Sequence, residues 1–153
     1  MHNSSELEHH TDFDLESFRF FGSVQFYTLF LLVTFLAGQT KFANELAILL
    51  AVSSIILLLL KVIILAITDY DIDMPSITTG LATIFFIMII TKNTSPVYII
   101  LASLTLLTVH VLAFFDSYLG SASKSFVHVF TGTAFGAALA LTYKFAIQPK
   151  IYK

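Results

Sequence analysis

The sequence has no cysteine and few charged residues. Without cysteine among its 153 residues, the chain has no disulfides, no thiolate-bound metal and no cysteine nucleophile. Charged residues make up 12% of the chain, about half of the roughly 25% that is usual in soluble domains. Hydrophobic residues make up 57%, and the mean hydropathy is +0.87. This composition indicates one domain that is integral to a membrane.

The basic residues form no patch. The 8 Lys and Arg residues are scattered along the chain, so a nucleic-acid partner is not expected. No basic leader or small-residue cleavage site accompanies the first apolar run, and the residues before it are acidic. We therefore expect neither a cleaved secretory signal nor a mitochondrial transit peptide.

Five apolar runs are separated by short polar breaks. The longest contains one charge, Lys61, and exceeds the about 20 residues that cross the roughly 30 Å core of a bilayer. A backbone surrounded by lipid must satisfy its own hydrogen bonds, which a helix does. The fold class predicted is an all-α, multi-pass membrane bundle. Its predicted spans are Gly22–Gly38, Glu45–Thr68, Ser76–Thr91, Val97–Phe115 and Ser125–Ile147.

The ends of the chain differ in character. Residues 1–21 form a polar, acidic tail, and its second half is expected to form an interfacial helix that starts at Thr11 or Asp12. Residues 22–148 form the five-helix transmembrane domain. Pro149 is expected to end the last helix, which leaves residues 149–153 as a short basic tail.

The basic residues predict the orientation in the membrane. Five spans place the two termini on opposite sides, and one side carries more lysines than the other. Because cytoplasmic loops are enriched in Lys and Arg, the C-terminus is predicted in the cytoplasm and the N-terminus outside. The predicted inner side carries Lys41, Lys92, Lys144, Lys150 and Lys153, and the outer side carries Arg19 and Lys124.

Three polar side chains inside the spans are candidates for chemistry. Lys61 is costly in lipid and marks a functional position by default, although it could instead reach the surface or pair with Asp69, Asp71 or Asp73. His110 and His128 are predicted at similar depth on neighbouring helices. With Asp116 they could bind a metal or haem or relay protons; the alternative is that each makes an interhelical hydrogen bond.

The last span contains a run of small residues. Gly132 and Gly136 are four residues apart and therefore share one helix face. Such a pair allows another helix to approach closely. We expect it to pack within the bundle rather than between two copies of the chain.

The order of several short motifs resembles the membrane-bound type-2 phosphatidic acid phosphatase family. Lys61 is followed after six residues by Thr68-Asp69, where that family has R-P. Residues Pro75 to Thr79 stand where it has P-S-G-H-T. The later matches are Tyr118-Leu119-Gly120, Ser125 and Gly132 to Gly136.

The resemblance implies a degenerate member of that family. Its enzymes use a histidine nucleophile, an acid/base histidine and basic side chains that clamp the phosphate. Here Thr78 occupies one histidine position, no arginine follows Arg19, and His128 is displaced from the nucleophile position. Lys61 is the matching basic residue, and His128 or His110 would have to supply the remaining chemistry.

The sequence predicts a non-catalytic membrane protein, an accessory subunit of a larger complex, whose partners are lipids and other integral membrane subunits. No cofactor is predicted. The alternatives are a divergent lipid phosphatase or phosphotransferase and a membrane subunit with a histidine-bound metal or haem. Transport is a weaker alternative, because neither an inverted repeat nor a pair of broken helices is visible.

Overall fold

The computed structural model describes residues 19–69, 74–92, 95–116 and 122–151, and every element in these ranges is helical. The prediction of an all-α protein is confirmed. The predicted interfacial helix from Thr11 or Asp12 and the acidic residues Asp71 and Asp73 lie outside the described residues. The helices are α1 (Val24–Leu36), α2 (Thr40–Ile67), α3 (Ile77–Thr91), α4 (Pro96–Asp116) and α5 (Ala122–Thr142), followed by a π-helix (Tyr143–Ile147) and α6 (Gln148–Ile151).

Three helices are long and apolar enough to cross a membrane. They are Thr40–Ile67 with 28 residues, Pro96–Phe115 with 20 residues, and the helical stretch Ser123–Lys150 with 28 residues. α1 has 13 residues and α3 has 15, about 20 Å each at 1.5 Å per residue. Length and composition therefore support membrane crossing for three of the five predicted spans.

The short helix α3 lies at the centre of the bundle. It packs against α2, α4 and α5, and Phe85 on α3 receives the rings of Phe26 and Phe30 from α1 at centroid distances of 5.9 and 4.8 Å. α3 therefore contacts α1, α2, α4 and α5. Its fully buried side chains are Thr79, Ala82, Ile84, Phe85, Met88 and Ile89.

A tight turn joins α1 to α2. The N–H groups of Ala37, Gly38 and Gln39 donate to carbonyls in the last turn of α1. Gly38 has a φ of +95°, a left-handed conformation that glycine adopts without steric cost. The turn makes the two helices antiparallel neighbours.

The last helix does not end at Pro149 as predicted. A π-turn at Tyr143–Ile147 pairs the N–H of Gln148 with the carbonyl of Tyr143, five residues earlier. Pro149 then lies in the first turn of α6, where a missing N–H is tolerated. The Gln148 side chain donates to Glu45 Oε1 at 2.6 Å, which fastens this end of the chain to the start of α2.

The bundle has two ends of different character. The start of α2 and the end of α3 meet at one end, where Lys92 Nζ lies 5.0 Å from the ring centroid of Phe42. We call this the Lys end. Its described lysines are Lys41, Lys92, Lys144 and Lys150. The opposite end, where α3 begins, contains His110 and His128 and is called the His end.

Candidate functional site

The His end contains most of the residues predicted to carry chemistry. There the first turn of α3 is joined to the backbone of α5. Ser76 caps α3, because its Oγ accepts from the N–H of Thr79 at 3.4 Å. The N–H of Ser76 donates to the carbonyl of His128 at 3.1 Å, and Thr79 Oγ1 donates to the carbonyl of Val129 at 3.4 Å.

Two glycines on α5 permit this close approach. A Cβ at Gly132 would overlap Thr79 Oγ1 and the carbonyl oxygen of Ser76. A Cβ at Gly136 would overlap the backbone of Gly80 and lie 2.8 Å from its Cα. Both glycines, predicted to mediate helix packing, therefore contact α3, and they let the hydroxyl of Thr79 and the N–H of Ser76 reach carbonyls of α5.

His110 is hydrogen-bonded through both ring nitrogens. Its Nε2 lies 2.6 Å from Thr133 Oγ1 on α5, and its Nδ1 lies 2.8 Å from the carbonyl oxygen of Leu106. A carbonyl only accepts, so Nδ1 carries a proton. The contact with Thr133 is interhelical, as the second interpretation of this histidine expected.

The hydroxyl of Thr133 has two possible acceptors. Thr133 Oγ1 lies 3.0 Å from the carbonyl oxygen of Val129 as well as close to His110. With neutral His110, the hydroxyl donates to Nε2. With protonated His110, Nε2–H donates to Oγ1 and the hydroxyl turns to Val129. Rotation of one hydroxyl therefore satisfies the hydrogen bonds of either protonation state.

His128 lies nearer the end of the bundle than the contact of His110. Five residues separate His128 from Thr133, about 7 Å along the axis of α5. The two imidazoles were predicted at similar depth. The imidazole of His110 instead contacts α5 at Thr133, further from the end of the bundle than His128. His128 is half-buried. One turn before it, Ser125 is fully buried and its Oγ has no hydrogen-bond partner within the described part of the chain.

Lys61 lies at the level of His128 by helical register. Leu57 packs at Gly80, where its Cδ1 would lie 2.7 Å from an added Cβ. Lys61 lies one turn after Leu57, and Ser76 lies one turn before Gly80. Because α2 and α3 are antiparallel, both steps lead toward the His end. Half-buried Lys61, the start of α3 and His128 therefore lie at similar height on three adjacent helices.

A small cavity of about 190 Å³ opens beside this cluster. Arg19, Ser23 and Thr78 line it together with side chains of α4. The cavity lies at the first turns of both α1 and α3, whose backbone N–H groups give a positive field. Thr78 stands where the predicted resemblance to the phosphatases would place a histidine, and Arg19 is the single arginine of the sequence. Their proximity was not predicted.

The metal prediction rests on three residues, and the structure describes the side chains of two. Nowhere in the described ranges do three or more His, Asp or Glu side chains form a group that could hold an ion. The side chain of Asp116 lies outside the described residues. A metal at His110, His128 and Asp116 stays a prediction.

Comparisons with known proteins found no relative of this chain. The resemblance to the type-2 phosphatidic acid phosphatases, based on motif spacing, therefore stays a prediction. No protein-family model, no curated protein and no solved structure matches the chain.

Proposed function

We propose that the protein crosses the membrane five times, with its N-terminus outside and its C-terminus in the cytoplasm. Support comes from the three long apolar helices and from the surface of α2, where Ile48, Val52 and Ile55 are 65%, 49% and 59% exposed. Exposed branched side chains over several turns are stable against lipid and costly against water. The lysines of the Lys end support a cytoplasmic C-terminus.

Within that membrane we propose a non-catalytic role, as a subunit that packs against other integral membrane proteins. The observation that carries this proposal is the distribution of small residues on α5. One face, with Gly132, Gly136 and Ala140, is buried against the bundle. A second set, Ala134, Ala138 and Thr142, is exposed at the same four-residue spacing.

The exposed set supports contact with a further helix. Small residues at a spacing of four allow two backbones to approach closely, and packing of this kind drives helix association in lipid. The bundle already uses the same device at Gly132 and Gly136. The buried face of α5 packs against α3. The exposed face has small residues at the same spacing, so a helix of a partner protein could pack against it in the same way.

The test combines Ala134→Leu with Ala138→Leu. Native electrophoresis in mild detergent should show the wild-type chain in an assembly well above 17.0 kDa and the double variant released from it. The matched control, Ala51→Leu with Ala66→Leu, changes two exposed alanines of α2 and should leave the assembly intact. A wild-type chain that migrates as a lone monomer would refute the subunit role.

A second candidate function is a divergent lipid phosphatase or phosphotransferase. It is favoured by the common level of Lys61 and His128 and by the neighbouring cavity at Arg19 and Thr78, since phosphoryl transfer depends on positioning and positive charge. Phosphatidic acid turnover by purified protein, lost in His128→Ala and retained in His2→Ala, would support it. Absence of turnover would refute it.

A further inference from the structure

A groove at the Lys end lies between the first turns of α2 and the π-helix. Its volume is about 540 Å³, within the range of about 300–1,000 Å³ found for small-molecule sites. Lys41, Asn44 and Glu45 line the mouth together with Ile147, whereas Ile48, Leu49 and Val52 line the deeper region with Tyr143. The groove is therefore polar at the end of the bundle and apolar further in.

The length of the groove matches one leaflet of a bilayer. Lys41 and Val52 are eleven residues apart on one helix, which corresponds to about 16 Å of rise. Half of a hydrocarbon core of roughly 30 Å is about 15 Å. A molecule that fills the groove from mouth to floor thus has a polar group at the membrane surface and an apolar segment that extends to the depth of a single leaflet.

The groove cannot enclose a helix. A cylinder 10 Å wide, the lower limit for a helix with side chains, occupies about 1,250 Å³ over 16 Å. The empty space of the groove, with its open side included, is about 1040 Å³. A hydrocarbon chain is much thinner than a helix and fits the available space.

The lysines around the Lys end, rather than the mouth alone, where Lys41 and Glu45 balance each other, favour an anionic headgroup. Among the described residues, the Lys end carries Lys41, Lys92, Lys144 and Lys150, whereas Glu45 is its one carboxylate. Glu45 already accepts a hydrogen bond from Gln148 at 2.6 Å. α2 also begins here, so the positive end of its dipole adds to the field of Lys41.

We propose that this groove binds one acyl chain of an anionic glycerophospholipid, with the lipid phosphate at Lys41 and the chain along Ile48 and Val52. Basic pockets between membrane helices on the cytoplasmic side recognise anionic headgroups by the same electrostatics. The site rests on the proposed membrane location but not on the proposed subunit role.

The test is native mass spectrometry of the delipidated full chain, titrated with dioleoyl phosphatidylglycerol or dioleoyl phosphatidylcholine. The wild-type protein should bind phosphatidylglycerol more tightly. Lys41→Gln should reduce that affinity about fivefold, as expected for one lysine at a membrane surface, and should weaken phosphatidylcholine binding less, because the choline cation offsets the charge of its phosphate. Lys124→Gln, an exposed lysine at the His end, is the matched control and should change neither affinity.

A second pair of variants tests the region that binds the acyl chain. Val52→Trp should fill the groove and weaken binding of both lipids, whereas Val62→Trp should not. These valines are 49% and 55% exposed on the same helix, and Val62 lies outside the groove. Equal binding of the two lipids by the wild type, or equal effects of the two tryptophans, would overturn the proposal. Because lipid binding is read from the single chain, loss of the proposed complex does not affect the result.

Discussion

The Nε2 atom of His110 on α4 lies 2.6 Å from Oγ1 of Thr133 on α5. This contact joins two antiparallel helices through their side chains. Interhelical hydrogen bonds in membrane proteins average about 0.6 kcal/mol and reach about 1.7 kcal/mol. The contact is therefore a moderate stabiliser that also fixes the rotation of α4 against α5.

A double-mutant cycle with His110→Phe and Thr133→Val measures that stabilisation. We expect a coupling of about 0.6–1.7 kcal/mol in the free energy of unfolding, determined by titration with a denaturing detergent. Thr131→Val is the control, since Thr131 Oγ1 donates to the carbonyls of Val127 and His128 in its own helix. Coupling of Thr131 to His110 as large as that of Thr133 would contradict the assigned contact.

The α3–α5 contact predicts that a valine destabilises the chain at Gly136 but has little effect at nearby Ala134. Gly136→Val places branched carbons against the backbone of Gly80, which cannot yield as a flexible side chain can. Overpacking of this kind costs about 1–3 kcal/mol, so a loss of at least 1 kcal/mol is expected in the same unfolding assay.

The control for that variant is Ala134→Val, which adds two carbons on the exposed face of α5 where Gly136→Val adds three at the helix contact. A surface substitution of this kind is expected to stay within about 0.5 kcal/mol. If both variants destabilised the isolated chain equally, Gly136 would not lie at the helix contact described.

The cap of α3 gives a third prediction. Ser76→Ala removes the oxygen that accepts from the N–H of Thr79, and loss of an N-cap costs about 1 kcal/mol. Ser54→Ala is the control, because Ser54 Oγ donates only to the carbonyl of Ala51, in the same helix. An unfolding free energy unchanged in Ser76→Ala would show that Ser76 does not cap α3.

The contact between Gln148 and Glu45 predicts local rather than global stability. Gln148→Leu should free the π-helix and α6 from α2, because a bond to a charged group contributes about 1.5–3 kcal/mol. Tryptic cleavage after Lys144 should become about tenfold faster or more. Gln25→Leu, on exposed α1 surface, is the control, and equal cleavage rates in both variants would rule out the fastening role.

Much of the helical framework could be predicted, because a long run of apolar residues between polar breaks indicates a helix directly. The predicted spans Ser76–Thr91 and Val97–Phe115 lie within one residue of α3 and α4 at each end. The start of α2 was placed five residues late, at Glu45 instead of Thr40. Hydropathy falls at Lys41 and Asn44, yet polar side chains at a membrane surface do not interrupt a helix.

The contacts at the two ends could not be predicted, because they depend on how each helix is rotated. Thr133 gave no signal beyond a hydroxyl within an apolar span. The π-turn before Gln148 does not change the spacing of apolar residues in a way that the sequence shows. The helix end was predicted from Pro149 alone. Arg19 and Thr78 are far apart in sequence and meet only because α1 and α3 begin at the same end of the bundle.

The proposed functions depend most on the membrane arrangement, and the absence of cysteine makes that arrangement directly measurable. Three single-cysteine variants each place one thiol at an end of the bundle. Lys92→Cys and Lys150→Cys place it at the Lys end, and Lys124→Cys places it at the His end. On intact cells, a membrane-impermeant maleimide should label the variant at position 124 and spare those at 92 and 150 until the cells are opened. Labelling at 92 or 150 on intact cells, or equal labelling at all three positions, would contradict the five-span arrangement with a cytoplasmic Lys end.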